Sequence, residues 1–166
     1  MTIAPCTRAH APEILAIFNH AILRTTALYE YEPRTPDFMT AWFDTKERAN
    51  LPVLGAFDEV GTLLGFATYG PFRALPAYHP TAEHSVYVHP DHHRQGVGKA
   101  LLRALIATAR ERQIHTLIGV IDSANPASLA LHASFGFQHV GILREVGLKF
   151  DRRLDVALCQ LLLSKA

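Results

Sequence analysis

The chain has little of several features that would place it in a special class of protein. Its 166 residues include two cysteines, Cys6 and Cys159, which are too far apart for a metal pair and make no disulfide framework. No apolar run approaches the ~20 residues needed to cross a bilayer, and the N-terminus lacks the charged and apolar regions of a secretion signal. The net charge of +1 gives no chain-wide basic surface for nucleic acid. These absences predict a soluble, cytoplasmic protein in which any anion site is local.

Internal repeats, low-complexity tracts and a second domain boundary are also missing, so we expect a single domain over residues 1–166. Hydrophobic periodicity predicts the order β-α-α-β-β-β-α-β-α-β-β. Strands are predicted at 2–7, 53–57, 63–69, 84–88, 115–121, 137–142 and 154–163, with 144–153 as an extension of the sixth. Helices are predicted at 11–23, from 35 or 37 to about 48, from 97, and from 126 until Gly136. This order favours an α/β (α+β) fold, a mixed, mostly antiparallel sheet of about seven strands with helices on both faces.

The main functional signal lies where the residue pattern changes from strand to helix. Residues 84–88 alternate like a half-buried strand, Pro90 ends it, and from Val97 the apolar residues have helical spacing. The start of a helix has N–H groups without carbonyl partners and a partial positive charge, so it favours an anion such as phosphate. Gly96 and Gly98 lack a Cβ and allow a ligand close to the backbone.

Two common phosphate loops do not fit this pair of glycines. A Walker-type loop requires Ser or Thr where Ala100 follows Gly98-Lys99, and a dinucleotide loop requires Gly or Ala where Leu101 stands. The connection from the strand is also too long for the tight dinucleotide turn. Taken alone, the two glycines are equally compatible with the start of a helix that binds no ligand.

The sequence HRQGVG at 93–98 resembles the pyrophosphate loop of the GCN5-related N-acetyltransferases, which reads Arg or Gln, two residues, Gly, one residue, Gly or Ala. Both glycines match, and His93 stands in place of Arg or Gln. The preceding EHSVYVHP at 83–90 resembles the phosphinothricin and methionine sulfoximine N-acetyltransferase branch of that family. The resemblance covers nearly the whole chain and is densest at 70–98 and 125–155.

This resemblance implies the acetyltransferase fold of that family and transfer of acetyl from acetyl-CoA, a cosubstrate, to the amine of a small amino acid or analogue such as phosphinothricin or methionine sulfoximine. It implies a homodimer, with Lys149 and Phe150 near the partner's site. The residues expected to contact acetyl-CoA are Val86, Tyr87, Val88, Arg94, Gln95, Gly96, Val97, Gly98, Lys99, Asn125, Ser128 and Ser134.

Acyl transfer from a thioester to an amine needs a base for the ammonium, donors for the oxyanion and an acid for the departing thiolate. Glu83, just before the predicted strand, is the expected base, directly or through a water, since the matching Glu of the branch has that role. Without the resemblance, a solvated carboxylate is the alternative.

His132 is the second catalytic candidate, because acetyltransferases often have Tyr there as the acid and a histidine with a pKa of about 6.5 can also carry and release a proton. Asn125, Ser128 and His132 are spaced three and four apart, which predicts one polar helix face toward a ligand. Three roles stay open for His132: the acid, a partner of Glu83, or a helix histidine hydrogen-bonded to a neighbouring carbonyl.

Substrate recognition is expected from Arg73, because a guanidinium presents a planar fork to a carboxylate or phosphinate. Phe72, Ala74, Glu83 and Ser85 complete the expected substrate site, with Phe72 packing on the substrate stem. The alternative for Arg73 is a solvated surface charge.

Ten histidines suggest a metal site, but their geometry does not. His84 and His89 are five apart along a strand and so point to opposite faces, and the adjacent His92 and His93 diverge. We predict no metal.

Two other functions remain open. One is an acetyltransferase for another amine, such as a peptide N-terminus, a polyamine or an aminoglycoside. The other is a CoA-binding module that senses without catalysing, against which the presence of both Glu83 and His132 argues.

Overall fold

A computed structural model describes residues 1–163. Its strands are β1 Thr2–Pro5, β2 Val53–Phe57, β3 Leu63–Pro71, β4 Thr81–Val88, β5 Thr116–Asp122, β6 Gln138–Lys149 and β7 Arg152–Leu162. Its helices are α1 Ala11–Arg24, α2 Pro36–Arg48, α3 Val97–Glu111 and α4 Pro126–Ala133, with short 3₁₀ turns at Arg8–His10, Pro76–Tyr78 and Pro90–His92. The predicted order of strands and helices is confirmed.

The seven strands form one sheet in the order β1-β2-β3-β4-β5-β7-β6. Strand β4 pairs with β5 in parallel, whereas β1 with β2, β2 with β3, β5 with β7 and β6 with β7 are antiparallel. The predicted mixed, mostly antiparallel sheet is therefore confirmed.

By its internal contacts the chain forms two compact units. The first contains Met1–Tyr69 and Ser85–Thr108, and the second contains Gly70–His84 and the residues from Ala109 onward. The chain passes from one unit to the other within β3, within β4 and within α3.

The core of the first unit forms around β3. Phe66 is fully buried, and the Phe18 ring of α1 lies 4.9 Å from it, edge to face. Apolar residues of α1, α2, β2 and β3 complete this cluster: Ile14, Ile17, Met39, Phe43, Val53 and Leu63. Gly65 points to the opposite face of β3, where a Cβ would lie 3.3 Å from Leu101 of α3. Helices therefore cover both faces of β3 in this unit.

In the second unit, β5 lies between β4 and β7, and Leu117 and Ala157 are buried in the layer they share. The turn after β5 begins α4 as its residue types predict, because Asn125 Oδ1 accepts the Ser128 N–H at 3.0 Å and Pro126 takes the first helical position. The chain leaves α4 through Gly136, whose φ is +85°.

The predicted start of β4 was wrong, and the predicted extension of β6 is confirmed as far as Lys149. Strand β4 begins at Thr81, so Glu83 lies inside the strand and not before it; pairing with Thr116–Ile118 of β5 extends the strand where the sequence shows no clear alternation. Strand β6 continues through the expected extension to Lys149, with register shifts between His139 and Gly141 and between Leu143 and Gly147. Such bulges interrupt the two-residue period on which the shorter prediction relied.

Candidate active site

The loop before α3 has the backbone conformation of an anion-binding helix start. Arg94 and Gly96 have positive φ values of 61° and 80°. The first helical hydrogen bond runs from the Ala100 N–H to the Gly96 carbonyl at 3.0 Å. The N–H groups of the three preceding residues, 97–99, thus have no carbonyl partner within the helix and are available to oxygens of a diphosphate.

Two side chains before this helix hydrogen-bond to nearby backbone carbonyls, and two cationic side chains of the loop and the helix start are exposed to solvent. His93 Nε2 lies 3.1 Å from the Val88 carbonyl, and Gln95 Nε2 donates to the Asp91 carbonyl at 3.1 Å. The side chains of Arg94 and Lys99 are exposed. The residue that departs from the family motif, His93, therefore braces the loop against the end of β4, while the two exposed cations add attraction for phosphate.

Strand β4, which leads to this loop, extends beyond the residues that pair with β5. The parallel ladder runs from Thr81 opposite Thr116 to His84 opposite Gly119, and β4 continues to Val88. Beyond the ladder, strand backbone groups on that edge can bind an extended ligand. Tyr87 itself packs its ring 5.3 Å from that of Phe18, so only its backbone suits such a ligand.

Glu83 lies in β4 between two buried residues, Ala82 and His84, and is itself half-buried. Burial raises the pKa of the Glu83 carboxyl above its ordinary value, and the positive charge of Arg73 acts in the opposite direction. A carboxylate with a raised pKa is a stronger base than an ordinary Glu.

The segment that precedes β4 carries the expected substrate residues. The Arg73 guanidinium is exposed, stacks 4.4 Å from the centre of the Phe72 ring, and donates to the Phe72 carbonyl at 3.3 Å. The Phe72 N–H donates to the Thr81 carbonyl at 3.2 Å, which returns this segment to the start of β4. Ala74 is exposed, and Ser85 is partly buried in β4.

His132 does not face outward from α4. It is 5% exposed, its Nδ1 lies 2.7 Å from the Ser128 carbonyl, and its Nε2 lies 2.8 Å from Nε2 of His84. This is the arrangement of a helix histidine bonded to a neighbouring carbonyl, with a second buried histidine added. The other polar side chains of the helix also bond locally, since Ser134 Oγ donates to the Leu131 carbonyl at 2.6 Å.

His84 is the residue that sequence reasoning missed at this site. It is 6% exposed, and burial lowers its pKa to about 3, with His132 acting in the same direction. Burial also lowers the pKa of His132. Both rings are therefore neutral at physiological pH. The signal in the sequence was the position of His84, two residues after Ala82 and therefore on the same face of the strand. The alternation of residues 84–88 does not indicate which residue His84 contacts.

Among residues 1–163, no group of three or more His, Cys, Asp or Glu side chains is arranged to hold a metal ion. None of the described helices combines the length and the apolar character needed to cross a membrane.

Comparison with protein-family models matches residues 17–137 to the acetyltransferase (GNAT) family. This chain belongs to that family. The glycine loop, its helix and α4 up to Phe137 all fall within the matched range, so the family's fold and acetyltransferase class extend to this chain.

Individual relatives agree with this assignment. The chain is 43% identical over 153 residues to the L-methionine sulfoximine/L-methionine sulfone acetyltransferase of Pseudomonas aeruginosa, covering 92% of this chain and 89% of the relative. It is 40% identical over 165 residues to the L-amino acid N-acyltransferase of Escherichia coli K12, covering 99% and 95%. A phosphinothricin acetyltransferase from Sinorhizobium meliloti, solved in complex with acetyl-CoA, superimposes with a TM-score of 0.96 at 33% identity, covering 99% of this chain and 89% of that one.

Proposed function

We propose that this chain transfers acetyl from acetyl-CoA to the amine of a small amino acid or analogue, of the phosphinothricin or methionine sulfoximine type. The observation that carries the proposal is Glu83: a half-buried carboxylate with a raised pKa on the strand that runs directly into the glycine loop. The names of the relatives, which act on methionine sulfoximine, amino acids and phosphinothricin, support the substrate class.

The acetyl-CoA site is built from backbone donors and two cations. The N–H groups of residues 97–99 bind the pyrophosphate, with Arg94 and Lys99 adding charge. Backbone groups of Val86 and Val88 pair with the pantetheine arm, as a strand would. Asn125 and Ser128 at the start of α4 contact the same arm.

Chemistry proceeds by direct attack. Glu83 takes a proton from the substrate ammonium, directly or through a water, and the freed amine forms a C–N bond to the thioester carbonyl carbon. The tetrahedral intermediate then breaks its C–S bond and releases the thiolate of CoA. The nitrogen loses its second proton as the amide forms, and this balances the proton that the thiolate takes up. Both ring nitrogens of His132 already have partners within the protein, so a direct proton donation from His132 to the thiolate requires one of those bonds to break.

Arg73 is suited to the substrate carboxylate. Its guanidinium is exposed and held against the Phe72 ring, which leaves the fork pre-oriented for a planar anion. Its charge also opposes the rise in the Glu83 pKa, so the two residues lie close enough to act on one zwitterionic amino acid. An amine that carries no carboxylate, such as an aminoglycoside, would leave this cation unused.

We further propose that the protein is a homodimer through β6. This strand forms the edge of the sheet and exposes large apolar side chains, which a monomer rarely leaves in water. The exposed residues of β6 and its turn are Val140, Ile142, Leu143, Val146, Leu148 and Phe150. Of the two residues expected near the partner, Phe150 is 50% exposed whereas Lys149 is 3% exposed, so Phe150 is the better contact. Sedimentation of Val146→Lys tests this, with a shift to monomer expected.

The acetylation assay that tests the function uses the purified chain, acetyl-CoA and a panel of amines. We expect turnover with methionine sulfoximine or phosphinothricin to exceed that with polyamines, peptides and aminoglycosides. Calorimetry that detects no binding of CoA would refute the family role of the loop. Binding without turnover on any amine would favour the sensing module. Cytoplasmic localisation and a single functional domain remain predictions from sequence.

The matched variants are Glu83→Gln and Glu59→Gln, the latter an exposed carboxylate in the β2–β3 turn. Glu83→Gln should lower turnover by about 10²-fold or more, the usual effect of an acid–base group, with acetyl-CoA affinity nearly unchanged. Glu59→Gln should change neither. Equal turnover in the two variants would remove Glu83 from the mechanism.

A further inference from the structure

The two buried histidines form a hydrogen-bonded chain inside the second unit, in which His84 Nδ1 has no hydrogen-bond partner among residues 1–163. The chain runs from the Ser128 carbonyl to His132 Nδ1 at 2.7 Å, and from His132 Nε2 to His84 Nε2 at 2.8 Å. The two ring centres are 5.0 Å apart. A helix residue and a strand residue 48 positions apart are thus joined by one short bond.

The direction of each hydrogen bond follows from the partners. A carbonyl oxygen only accepts, so the contact with Ser128 places a proton on Nδ1 of His132. A neutral imidazole carries one proton, so Nε2 of His132 is then an acceptor and Nε2 of His84 is the donor. Both rings are neutral because burial lowers the pKa of each. His84 therefore determines which tautomer and orientation His132 adopts.

The surroundings leave little room for another arrangement. The Phe137 ring lies 5.1 Å from that of His84 and 5.0 Å from that of His132. Gly119 of β5 faces both rings, and a Cβ there would lie 3.2 Å from His84 Cε1 and 3.4 Å from His132 Cδ2. Phe137 and the backbone at Gly119 therefore enclose both rings.

The pair lies beside the proposed base. His84 is the neighbour of Glu83 in β4, and it forms the last rung of the β4–β5 ladder, opposite Gly119. We propose that His84 is a positioning residue for acetyl transfer: its hydrogen bond to His132 ties α4 to the end of this ladder and fixes the backbone that carries Glu83. Successive side chains of a strand point to opposite faces, so the His84–His132 hydrogen bond lies on the face of β4 opposite to the Glu83 side chain. The bond therefore restrains the Glu83 backbone without occupying the face on which the carboxylate lies.

This inference rests on the proposed function, in which Glu83 is the base. It also assigns His132 to positioning and away from proton donation, since neither of its nitrogens is available for a thiolate while the pair is intact. Both consequences can be measured on variants of His84.

Three variants test the inference, with His115→Leu, an exposed histidine before β5, as the matched control. His84→Gln keeps a donor at the same number of bonds from Cβ, and His84→Leu removes it. The double variant His84→Leu/His132→Leu removes both buried polar partners, which avoids leaving one unpaired. The readouts are kcat, KM for each substrate, and Tm.

We expect His84→Leu to lower kcat about tenfold, the effect of losing one hydrogen bond of about 1.4 kcal/mol, with KM for acetyl-CoA within about twofold. His84→Gln should restore kcat to within about threefold of the parent. The double variant should fold, with Tm near that of the parent, and should still have kcat lowered about tenfold. His115→Leu should match the parent throughout.

The double variant separates positioning from packing, because a merely structural pair would regain full kcat once folded stability is regained. Full kcat in the folded double variant, or in folded His84→Leu, overturns the inference. So does a tenfold loss in folded His84→Gln, since its donor is retained. Glu83→Gln, measured in the same assay, distinguishes failure of the proposed function from failure of this inference. Full turnover of Glu83→Gln refutes Glu83 as the base. Loss of turnover in Glu83→Gln together with full kcat in His84→Leu refutes only the positioning role of His84.

Discussion

At Gly65 of β3 the backbone of β4 comes very close. A Cβ at this position would lie 2.6 Å from the Tyr87 carbonyl oxygen and 3.0 Å from Val88 Cα, both of them backbone atoms that cannot rotate away. The next rung is the hydrogen bond from the His89 N–H to the Leu64 carbonyl at 2.8 Å. Gly65→Ala must therefore push the two strands apart just before the glycine loop.

The expected cost of Gly65→Ala is that of overpacking, about 1–3 kcal/mol in the free energy of unfolding. For a chain of this size each kcal/mol lowers Tm by about 2–4 °C, so we expect a decrease of roughly 2–12 °C. Because the displaced backbone at 86–88 is the one proposed to pair with the pantetheine arm, Kd for acetyl-CoA should rise about threefold to tenfold, equivalent to about one weakened hydrogen bond.

Thermal unfolding and calorimetric titration with acetyl-CoA check both numbers. The control is Gly141→Ala, because a Cβ at Gly141 meets nothing within 4 Å. With no clash, the smaller entropy of the unfolded Ala chain should leave its Tm equal or slightly raised. If Gly65→Ala matched Gly141→Ala in both Tm and Kd, the close approach of β3 and β4 would be wrong, and so would the proposed arm site on β4.

The remaining predictions concern charge, the α1–α2 connection and the cap of α4. Since burial raises the folded-state pKa of Glu83 above the ordinary 4.5, its stabilising contribution is present below that value and is lost as pH rises through the folded pKa; Glu83→Gln should therefore raise Tm at pH 7 more than at pH 4. The Arg34 guanidinium stacks 3.9 Å from Phe18 and 4.4 Å from Phe38, so Arg34→Ala should lower Tm through lost packing, and Arg34→Lys should not restore it because an ammonium is not planar. Asn125→Ala removes the cap of α4 and should cost about 1 kcal/mol in urea unfolding, whereas Ala124→Gly beside it changes no cap.

Local structure was predictable from the sequence where the residues that form it lie close together in one short segment. The start of α3 at Val97 and the Asn125 cap each depend on residues within five positions of one another, and both were found as predicted. The start of β4 was not predictable in this way, because Thr81–Glu83 become strand by pairing with β5, more than thirty residues away in sequence. The bond between His84 and His132 is the extreme case, since no periodicity in either segment indicates the other.

The histidine pair bears on how much acid catalysis the reaction needs. A thiol is a much stronger acid than an amine N–H, with a pKa of about 8.5 for the cysteine side chain, so a CoA thiolate is a stable enough leaving group to depart and take its proton from solvent. The amine is the harder partner. The α-ammonium of a free amino acid, beside its own carboxylate, is less acidic than a peptide N-terminus with its pKa of about 7.7–8.0, so it is mostly protonated and cannot attack. A site with one base and no dedicated acid is then sufficient. The half-buried Glu83 serves the harder step, which is deprotonation of the ammonium. On this argument kcat of His132→Gln should follow the same dependence on pH as the parent, at a lower level, whereas loss of the alkaline limb in that variant would identify His132 as the acid after all.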